Sequence, residues 1–258
     1  MATPRATAIE AALAGGRILR HGIGQVREVR HKGEIDLVTE IDVASERAVV
    51  EIIRERFPRH RILAEEGSVG GDDPHSRWII DPLDGTTNYT HGFPMFCVSV
   101  GYEEDGEPVV GAIYDPLRDE LFVGERGCGA SVNGRALAVS SVDRVGQALL
   151  ATGFPYDRAK LPRALRQFER LSRSSRAVRR IGSAALDLAY VAAGRLDAYW
   201  EASVNAWDMA AGVVLVREAG GTTTSLRGDV PLLEGGDILA TNSRLHPEML
   251  DLLAPVLE

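Results

Sequence analysis

The stretch Trp78-Ile79-Ile80-Asp81-Pro82-Leu83-Asp84-Gly85-Thr86-Thr87-Asn88 concentrates residues that can do chemistry. An apolar run with the character of a buried strand stops at two carboxylates three residues apart. A small, hydroxyl-rich Gly-Thr-Thr turn follows at once. Carboxylates at a strand end suit a hard divalent cation, which prefers oxygen ligands. A Gly-Thr-Thr turn that opens a helix suits a phosphate, because its N–H groups and hydroxyls point one way. Side by side, the two point to metal-assisted phosphoryl chemistry. Asp81 is the hardest to read otherwise. It directly follows Trp78-Ile79-Ile80, and a half-buried charge there needs a partner, which a cation would supply. The pair Asp81 and Asp84 taken alone is also compatible with ordinary turn chemistry. Two further acidic groups fall at expected element ends, Glu65-Glu66 and Asp208. Alone, Glu65-Glu66 reads as a solvated turn, and Asp208 as a carboxylate favoured by a helix dipole.

The elements that must position these groups alternate along the chain. Residues 6–20 are rich in Ala, Leu and Ile and read as a helix, and 25–31 as a strand. From Asp42, expected as an N-cap, Val43, Val49, Ile52, Ile53 and Phe57 recur at helical spacing until Pro58. Residues 61–64 and 78–80 are short strands leading into the acidic groups. Residues 95–139 have the pattern of an antiparallel meander, with turns at Asp105-Gly106, Asp115-Pro116 and Asn133-Gly134. Beyond residue 140, strands are expected at 147–152, 176–180, 197–200 and 238–240. Helices are expected at 160–173, 182–193, 206–219 and 245–256. The expectation is a layered α/β domain over 1–258, with a metal- and phosphate-binding half (1–140) and a second half (141–258) carrying Asp208 and the substrate pocket.

Composition excludes several classes. Hydrophobic residues make up 45% of the 258, enough for a core of ordinary globular size. The net charge of −8 argues against nucleic-acid or membrane binding through the overall field. Two cysteines, Cys97 and Cys128, are too few for a disulfide framework or a thiolate zinc site, and Cys97 reads as a small buried hydrophobe. No stretch approaches the roughly 20 apolar residues of a membrane span, and the N-terminus has no secretory signal pattern, so a cytoplasmic location is expected.

The segment Asp81-Pro82-Leu83-Asp84-Gly85-Thr86-Thr87-Asn88, with Trp207-Asp208-Met209-Ala210-Ala211-Gly212, resembles the two signatures of the inositol monophosphatase family. Asp36-Leu37-Val38-Thr39-Glu40-Ile41-Asp42 and Ala64-Glu65-Glu66-Gly67 match its pattern in the right order. So do Gly182-Ser183-Ala184-Ala185 and Gly194-Arg195-Leu196-Asp197-Ala198-Tyr199-Trp200-Glu201. Gly153-Phe154-Pro155-Tyr156 and residues 183–194 are most similar to the bacterial branch. The resemblance spans essentially the whole chain. It implies an α-β-α-β-α sandwich and magnesium-dependent hydrolysis of phosphomonoesters.

Carried onto this sequence, the resemblance implies that Glu65, Asp81 and the carbonyl of Leu83 hold one magnesium, and Asp81, Asp84 and Asp208 a second. A third, weaker ion would involve Glu65 and water. Gly85 and Thr86, with Thr87 beside them, would meet the phosphate. Thr86 and Asp42 would orient or deprotonate the attacking water. Glu201 would bind a substrate hydroxyl, with Gly182, Ser183 and Ala184 lining the alcohol pocket. Glu66 is expected beside the ligands or facing solvent, not as a ligand, and His91 in a structural or supporting role, not as a general acid. The loop at His31-Lys32 departs from relatives that carry lysine at the first of these positions. Inositol-1-phosphate is the leading substrate. Histidinol phosphate, fructose-1,6-bisphosphate and 3′-phosphoadenosine 5′-phosphate are the alternatives within the superfamily. The resemblance further implies lithium sensitivity and a homodimer.

Residues 158–180 contrast with the acidic whole. They carry Arg158, Lys160, Arg163, Arg166, Arg170, Arg173, Arg176, Arg179 and Arg180, and positions 163, 166, 170 and 173 share one helical face. The plain reading is a solvated helix face. The alternative is an anion-attracting surface for phosphates or RNA, consistent with the transcription-machinery roles of bacterial relatives.

Overall fold

The computed structural model describes residues 2–25, 29–31, 37–68, 70–229 and 233–257. A two-stranded antiparallel ribbon pairs β1 (Val29–His31) with β2 (Leu37–Thr39). Seven strands form one mixed sheet in the order of the chain: β3 (His60–Ala64), β4 (Asp73–Asp84), β5 (Cys97–Glu104), β6 (Glu107–Asp115), β7 (Glu120–Glu125), β8 (Gly129–Val132) and β9 (Arg135–Ala136). Only the β3–β4 pairing is parallel; the others make the meander expected from the turn signals. A second mixed sheet uses β10 (Leu149–Thr152), β11 (Ala177–Arg179), β12 (Ala198–Val204), β13 (Thr222–Thr224) and β14 (Gly236–Thr241), in the order β11-β10-β12-β14-β13. Seven helices accompany them among the described residues: α1 (Pro4–Gly22), α2 (Glu40–Arg56), α3 (Thr86–Thr90), α4 (Leu161–Ser174), α5 (Ala184–Ala192), α6 (Ala206–Glu218) and α7 (His246–Leu253).

Five layers result. α1 and α2 cover one face of the large sheet, where Ala8, Ala12, Val49 and Ile53 meet Trp78, Ile80, Val98 and Val100. α5 and α6 fill the space between the sheets, with Leu188, Val213 and Leu215 against Cys97, Ile113 and Phe122 on one side and Tyr199 and Ala240 on the other. α4 and α7 close the outer face of the small sheet over Leu150, Trp200 and Leu239. Neighbours along a strand split between cores, Cys97 and Ile113 to the middle layer and Val98 and Ala112 to the outer one, as the two-residue period of a strand requires. This is the expected α-β-α-β-α sandwich. α5 and α6 are buried almost all round because each is covered on both sides.

Several local expectations change. Asp42 is not an N-cap. α2 starts one turn earlier, with Thr39 as N-cap and Asp42 at the third helical position, where the two exchange hydrogen bonds as a capping box. β4 does not stop before the carboxylates but runs through Asp81 to Asp84. Of the strand expected at 25–31, the structure describes only Val29–His31, paired with β2. Lys32 and Asp36 lie outside the described residues. The last helix ends at Leu253, and Ala254–Val256 continue as a 3₁₀ turn.

Candidate active site

The central feature is a break in strand register. Asp81 pairs with Ser99 and Asp84 with Cys97, so β4 spends three steps where β5 spends two. In a regular strand, residues three apart point to opposite faces. The extra residue of the bulge, which includes Pro82, cancels that difference and turns both carboxylates to one side. Ser45 of α2 donates to the Pro82 carbonyl at 2.8 Å, and Leu83 N–H donates to Asp81 Oδ1 at 2.9 Å, pinning the bulge. Asp208 arrives from the first turn of α6, where its Oδ2 accepts from Asn205 N–H at 2.9 Å. Oxygens of Asp81, Asp84 and Asp208 then lie within 4.8 Å of one another.

Such a cluster is costly without positive charge. Asp81 and Asp84 are buried. Burial pushes the Asp81 carboxyl well above the usual range, and Glu65, Asp84 and Asp208 push it further. Burial and then Asp84 do the same to Asp208. Asp84 is also raised by burial, against hydrogen bonds that favour its anion. Glu65 and Leu83 line the same cleft, so with the three aspartates it offers a set of hard oxygens. That donor set fits a divalent cation of the magnesium type and suits soft metals poorly.

Asp84 has a second set of contacts that the sequence did not disclose. Its Oδ2 accepts from the Ser183 hydroxyl at 2.5 Å and from Ala185 N–H at 2.7 Å, and the Cys97 thiol lies 3.7 Å away. Ser183 is the N-cap of α5, so the start of that helix holds one Asp84 oxygen and leaves the other for the cluster. Cys97 is the expected buried residue, yet it also touches the site; burial and the nearby anions keep its thiol protonated. Ser183 therefore positions Asp84 in addition to lining a neighbouring cleft.

Gly85 caps α3 with φ of 98°, a left-handed conformation open to glycine, and a Cβ there would approach the Met95 carbonyl to 2.9 Å. Thr86 follows in the cleft. Its hydroxyl lies 3.0 Å from Asp42 Oδ1 and 3.1 Å from the Leu83 carbonyl. The other Asp42 oxygen accepts from the Thr39 N–H at 2.8 Å and the Thr39 hydroxyl at 2.5 Å. Asp42 is fully buried, which raises its pKa against those hydrogen bonds. Thus it reaches the cleft only through Thr86. Thr87 is exposed and lines neither cleft. His91 is exposed, with Nδ1 2.9 Å from the Thr87 carbonyl. Glu66 N–H donates to Glu46 at 2.8 Å.

A second cleft adjoins the first, sharing Asp84, Tyr156 and Asp208. Gly182, Ser183, Ala184 and Glu201 line it, as do Arg180 and Asp187. Asn88 Nδ2, on α3, donates to the Met95 carbonyl at 2.7 Å and to the Ile181 and Gly182 carbonyls at 3.0 and 3.2 Å, fixing α3 against the segment before α5. Glu201 sits on β12 and accepts a short hydrogen bond from the Tyr199 hydroxyl. Burial pushes its carboxyl up to about 7, opposed by Tyr199 and Arg180. The start of the Gly-Phe-Pro-Tyr segment makes room for it. A Cβ on Gly153 would fall 1.9 Å from Glu201 Oε2. Gly153→Ala is therefore expected to displace Glu201 and raise the KM for its substrate about tenfold, with little change in the affinity for inorganic phosphate; an unchanged KM would show that Glu201 is not held by this fit.

The basic segment separates into different environments. Arg163 pairs with Asp237 at 2.5 Å and Arg173 with Glu169 at 2.8 Å. Arg180 is exposed and also lines the second cleft. Arg180 and Asp187 are the charged pocket residues that sequence reading missed, and Phe154 and Tyr156 join them there. Arg180 was hidden in a run of arginines and Asp187 in an apolar helix.

Residues 2–258 match the profile of the inositol monophosphatase family. An inositol-1-monophosphatase of Synechocystis sp. is 47% identical, over 96% of this chain and 87% of its own. A protein named Nus factor SuhB, of Pasteurella multocida, is 42% identical, over 97% and 95%. The solved structure of an inositol monophosphatase from Anabaena (Nostoc) sp. is 46% identical and superposes with a TM-score of 0.89, covering 98% of this chain and 95% of that one. Among the described residues, no helix is long and apolar enough to cross a membrane. The chain belongs to the inositol monophosphatase family, whose members are metal-dependent phosphomonoesterases.

Proposed function

We propose that the chain hydrolyses inositol-1-phosphate and related polyol phosphates with magnesium. The observation that carries this reading is the meeting of two clefts at Asp84, one lined by the carboxylate cluster and the other by Glu201. Glu65, Asp81, the Leu83 carbonyl, Asp84 and Asp208 would hold two ions, with a third, weaker one at Glu65. Bound there, magnesium neutralises phosphate charge, lowers the pKa of water and stabilises the leaving alkoxide.

The chain's own residues do the rest. Gly85 and Thr86 face the phosphate side of the cleft. With its proton shared towards Asp42, the Thr86 oxygen has lone pairs directed at an attacking water, so it accepts and orients a water proton. Asp42 acts through Thr86, because both of its oxygens are already engaged. Asp84 is a poor covalent nucleophile, since Ser183 and Ala185 hold one oxygen and the cluster claims the other. Glu201 would accept a hydroxyl of the departing alcohol.

Phosphate release with magnesium tests the reading across inositol-1-phosphate, histidinol phosphate, fructose-1,6-bisphosphate and phosphoadenosine phosphate. Highest kcat/KM on inositol-1-phosphate is expected; no turnover of any of the four would sink the proposal. A pH series gives a finer check. The Glu201 carboxyl is neutral below about pH 7 and ionises above it. An ionised Glu201 is the better hydroxyl acceptor, so KM is expected to fall as pH rises through this range. Glu201→Gln should raise KM about tenfold and remove that part of the pH dependence. A pH profile of KM identical in both proteins would remove Glu201 from alcohol recognition.

A further inference from the structure

Asp187 lies at the fourth position of α5, in a helix otherwise made of Ala, Leu, Tyr and Val. It is 1% exposed, yet it lines the second cleft beside Glu201 and Arg180. Its Oδ1 meets no hydrogen-bond partner. Asp187 does not cap the helix. Ser183 already serves as the N-cap of α5, its hydroxyl accepting from Leu186 N–H at 3.4 Å. A buried carboxyl oxygen without a hydrogen bond costs stability, so one beside a cleft calls for a ligand.

We propose that Asp187 is a specificity-determining residue of the leaving-group pocket, taking a hydroxyl of the polyol phosphate that Glu201 also engages from β12. This rests on the phosphomonoesterase reading above and names a further group that reads the alcohol. The chemistry of the pocket favours a hydroxyl over an ammonium group. Arg180 places a cation in the same cleft. Burial, followed by the Glu201 and Asp84 carboxylates, pushes the Asp187 carboxyl well above the usual range against the pull of Arg180, and this upward shift favours its neutral form. A neutral carboxyl is donor and acceptor at once, and so is a hydroxyl. A site built in this way discriminates against an alcohol that lacks the hydroxyl, because the pocket's polar groups are then left unpaired.

The test compares Asp187→Leu, which removes the hydrogen-bonding atoms, with Asp187→Asn, which keeps a donor and an acceptor. Steady-state kinetics would use inositol-1-phosphate, with n-butyl phosphate measured as substrate or as competitive inhibitor. Inorganic phosphate serves as an inhibitor that needs only the first cleft. In Asp187→Leu, discrimination between the two esters is expected to fall at least about tenfold, through the KM for inositol-1-phosphate. The Ki of inorganic phosphate should stay within about twofold, and Asp187→Asn should retain most of the discrimination. The thermal midpoint of the Leu variant should equal or exceed that of the wild type, because an unpaired buried acid has been removed.

Unchanged discrimination overturns the proposal. So does an equal loss on both esters with a lowered midpoint, which marks a structural role. Asparagine as damaging as leucine overturns it as well, and a larger loss on histidinol phosphate than on inositol-1-phosphate assigns Asp187 to a cation. Failure of the wild type to hydrolyse any of these esters defeats the broader reading and this inference with it. Turnover with unaltered selectivity defeats this inference alone.

Discussion

Asp84→Asn is expected to lower activity at least about a hundredfold while the fold stays intact. Even loss of an outer partner of a metal ligand costs roughly 10–100-fold in affinity or activity, and Asp84 sits in the cluster itself. An asparagine oxygen can still accept from Ser183 and Ala185 N–H, so the anchoring of β4 to α5 survives. The charge does not. In metal-free protein, Asp81, Asp84 and Asp208 all have carboxyl pKa values raised by burial and, for Asp81 and Asp208, by mutual repulsion. Each binds protons more tightly folded than unfolded. Their contribution to stability is therefore full below the unfolded value near 3.8 and is lost as pH rises through the raised values.

Two thermal results follow from that sign. At pH 8, without metal, Asp84→Asn should unfold a few degrees above the wild type, since about 1 kcal/mol corresponds to roughly 2–4 °C in a chain near this size. Magnesium should raise the wild-type midpoint more than the variant's, because it binds the folded cluster. Calorimetry with and without magnesium, together with phosphate release over a magnesium titration, checks both. Near-normal rates at ordinary magnesium concentration would remove Asp84 from the metal site.

Thr86→Val is expected to cut kcat on the order of a hundredfold, within the range for a positioned proton-transfer group. KM should change little, because the methyl-for-hydroxyl exchange leaves the shape of the turn alone. Thr86→Ser should recover most of the rate. The loss has a stability component too. Asp42 Oδ1 loses the Thr86 hydroxyl that donates to it, and an unmet buried acceptor costs about 1–3 kcal/mol.

Asp42→Asn should be worse than it looks on paper. Asp42 accepts from three donors, the Thr39 N–H, the Thr39 hydroxyl and the Thr86 hydroxyl, and an amide would turn its NH₂ towards one of them. It should lose both the Thr86-dependent rate and part of the α2 cap. Wild-type kcat in Thr86→Val would exclude the Thr86–Asp42 pair from water orientation. Loss of rate in Thr86→Val with no rescue by serine would point to the turn's shape instead.

Much of the site was legible in local patterns. The apolar run ending at Asp81, the Gly85-Thr86 turn and the position of Asp208 one turn into a helix are all short-range features. Strand and helix periodicity also placed most elements within a few residues, and the meander at 95–139 followed from its turn residues. What misled was local as well. Asp42 has the side chain of an N-cap and lies just before an apolar periodic run, but Thr39 competes for the same role. Thr39 wins because Asp42 at the third position returns the hydrogen bond. β4 could be read to end at Ile80, because a Pro and two Asp oppose strand propensity. A bulge accommodates all three.

By itself, the sequence determined which groups were available and roughly where each lay: hard oxygens near a strand end, a glycine-threonine turn, and a carboxylate at a helix start. It also carried the family signatures. Tertiary structure alone decided how those groups meet. Asp81 and Asp84 would face apart in an unbroken strand and converge only because β4 bulges against β5. Asp42 finds Thr86 across 44 positions, and Ser183 finds Asp84 across 99. Arg180 and Asp187 join Glu201 in one cleft although one came from a basic run and the other from an apolar helix. Backbone periodicity acts over a few residues and can be read along the chain. A side chain's hydrogen-bond partners and pKa depend on what packing brings beside it, and that is fixed only when the five layers close.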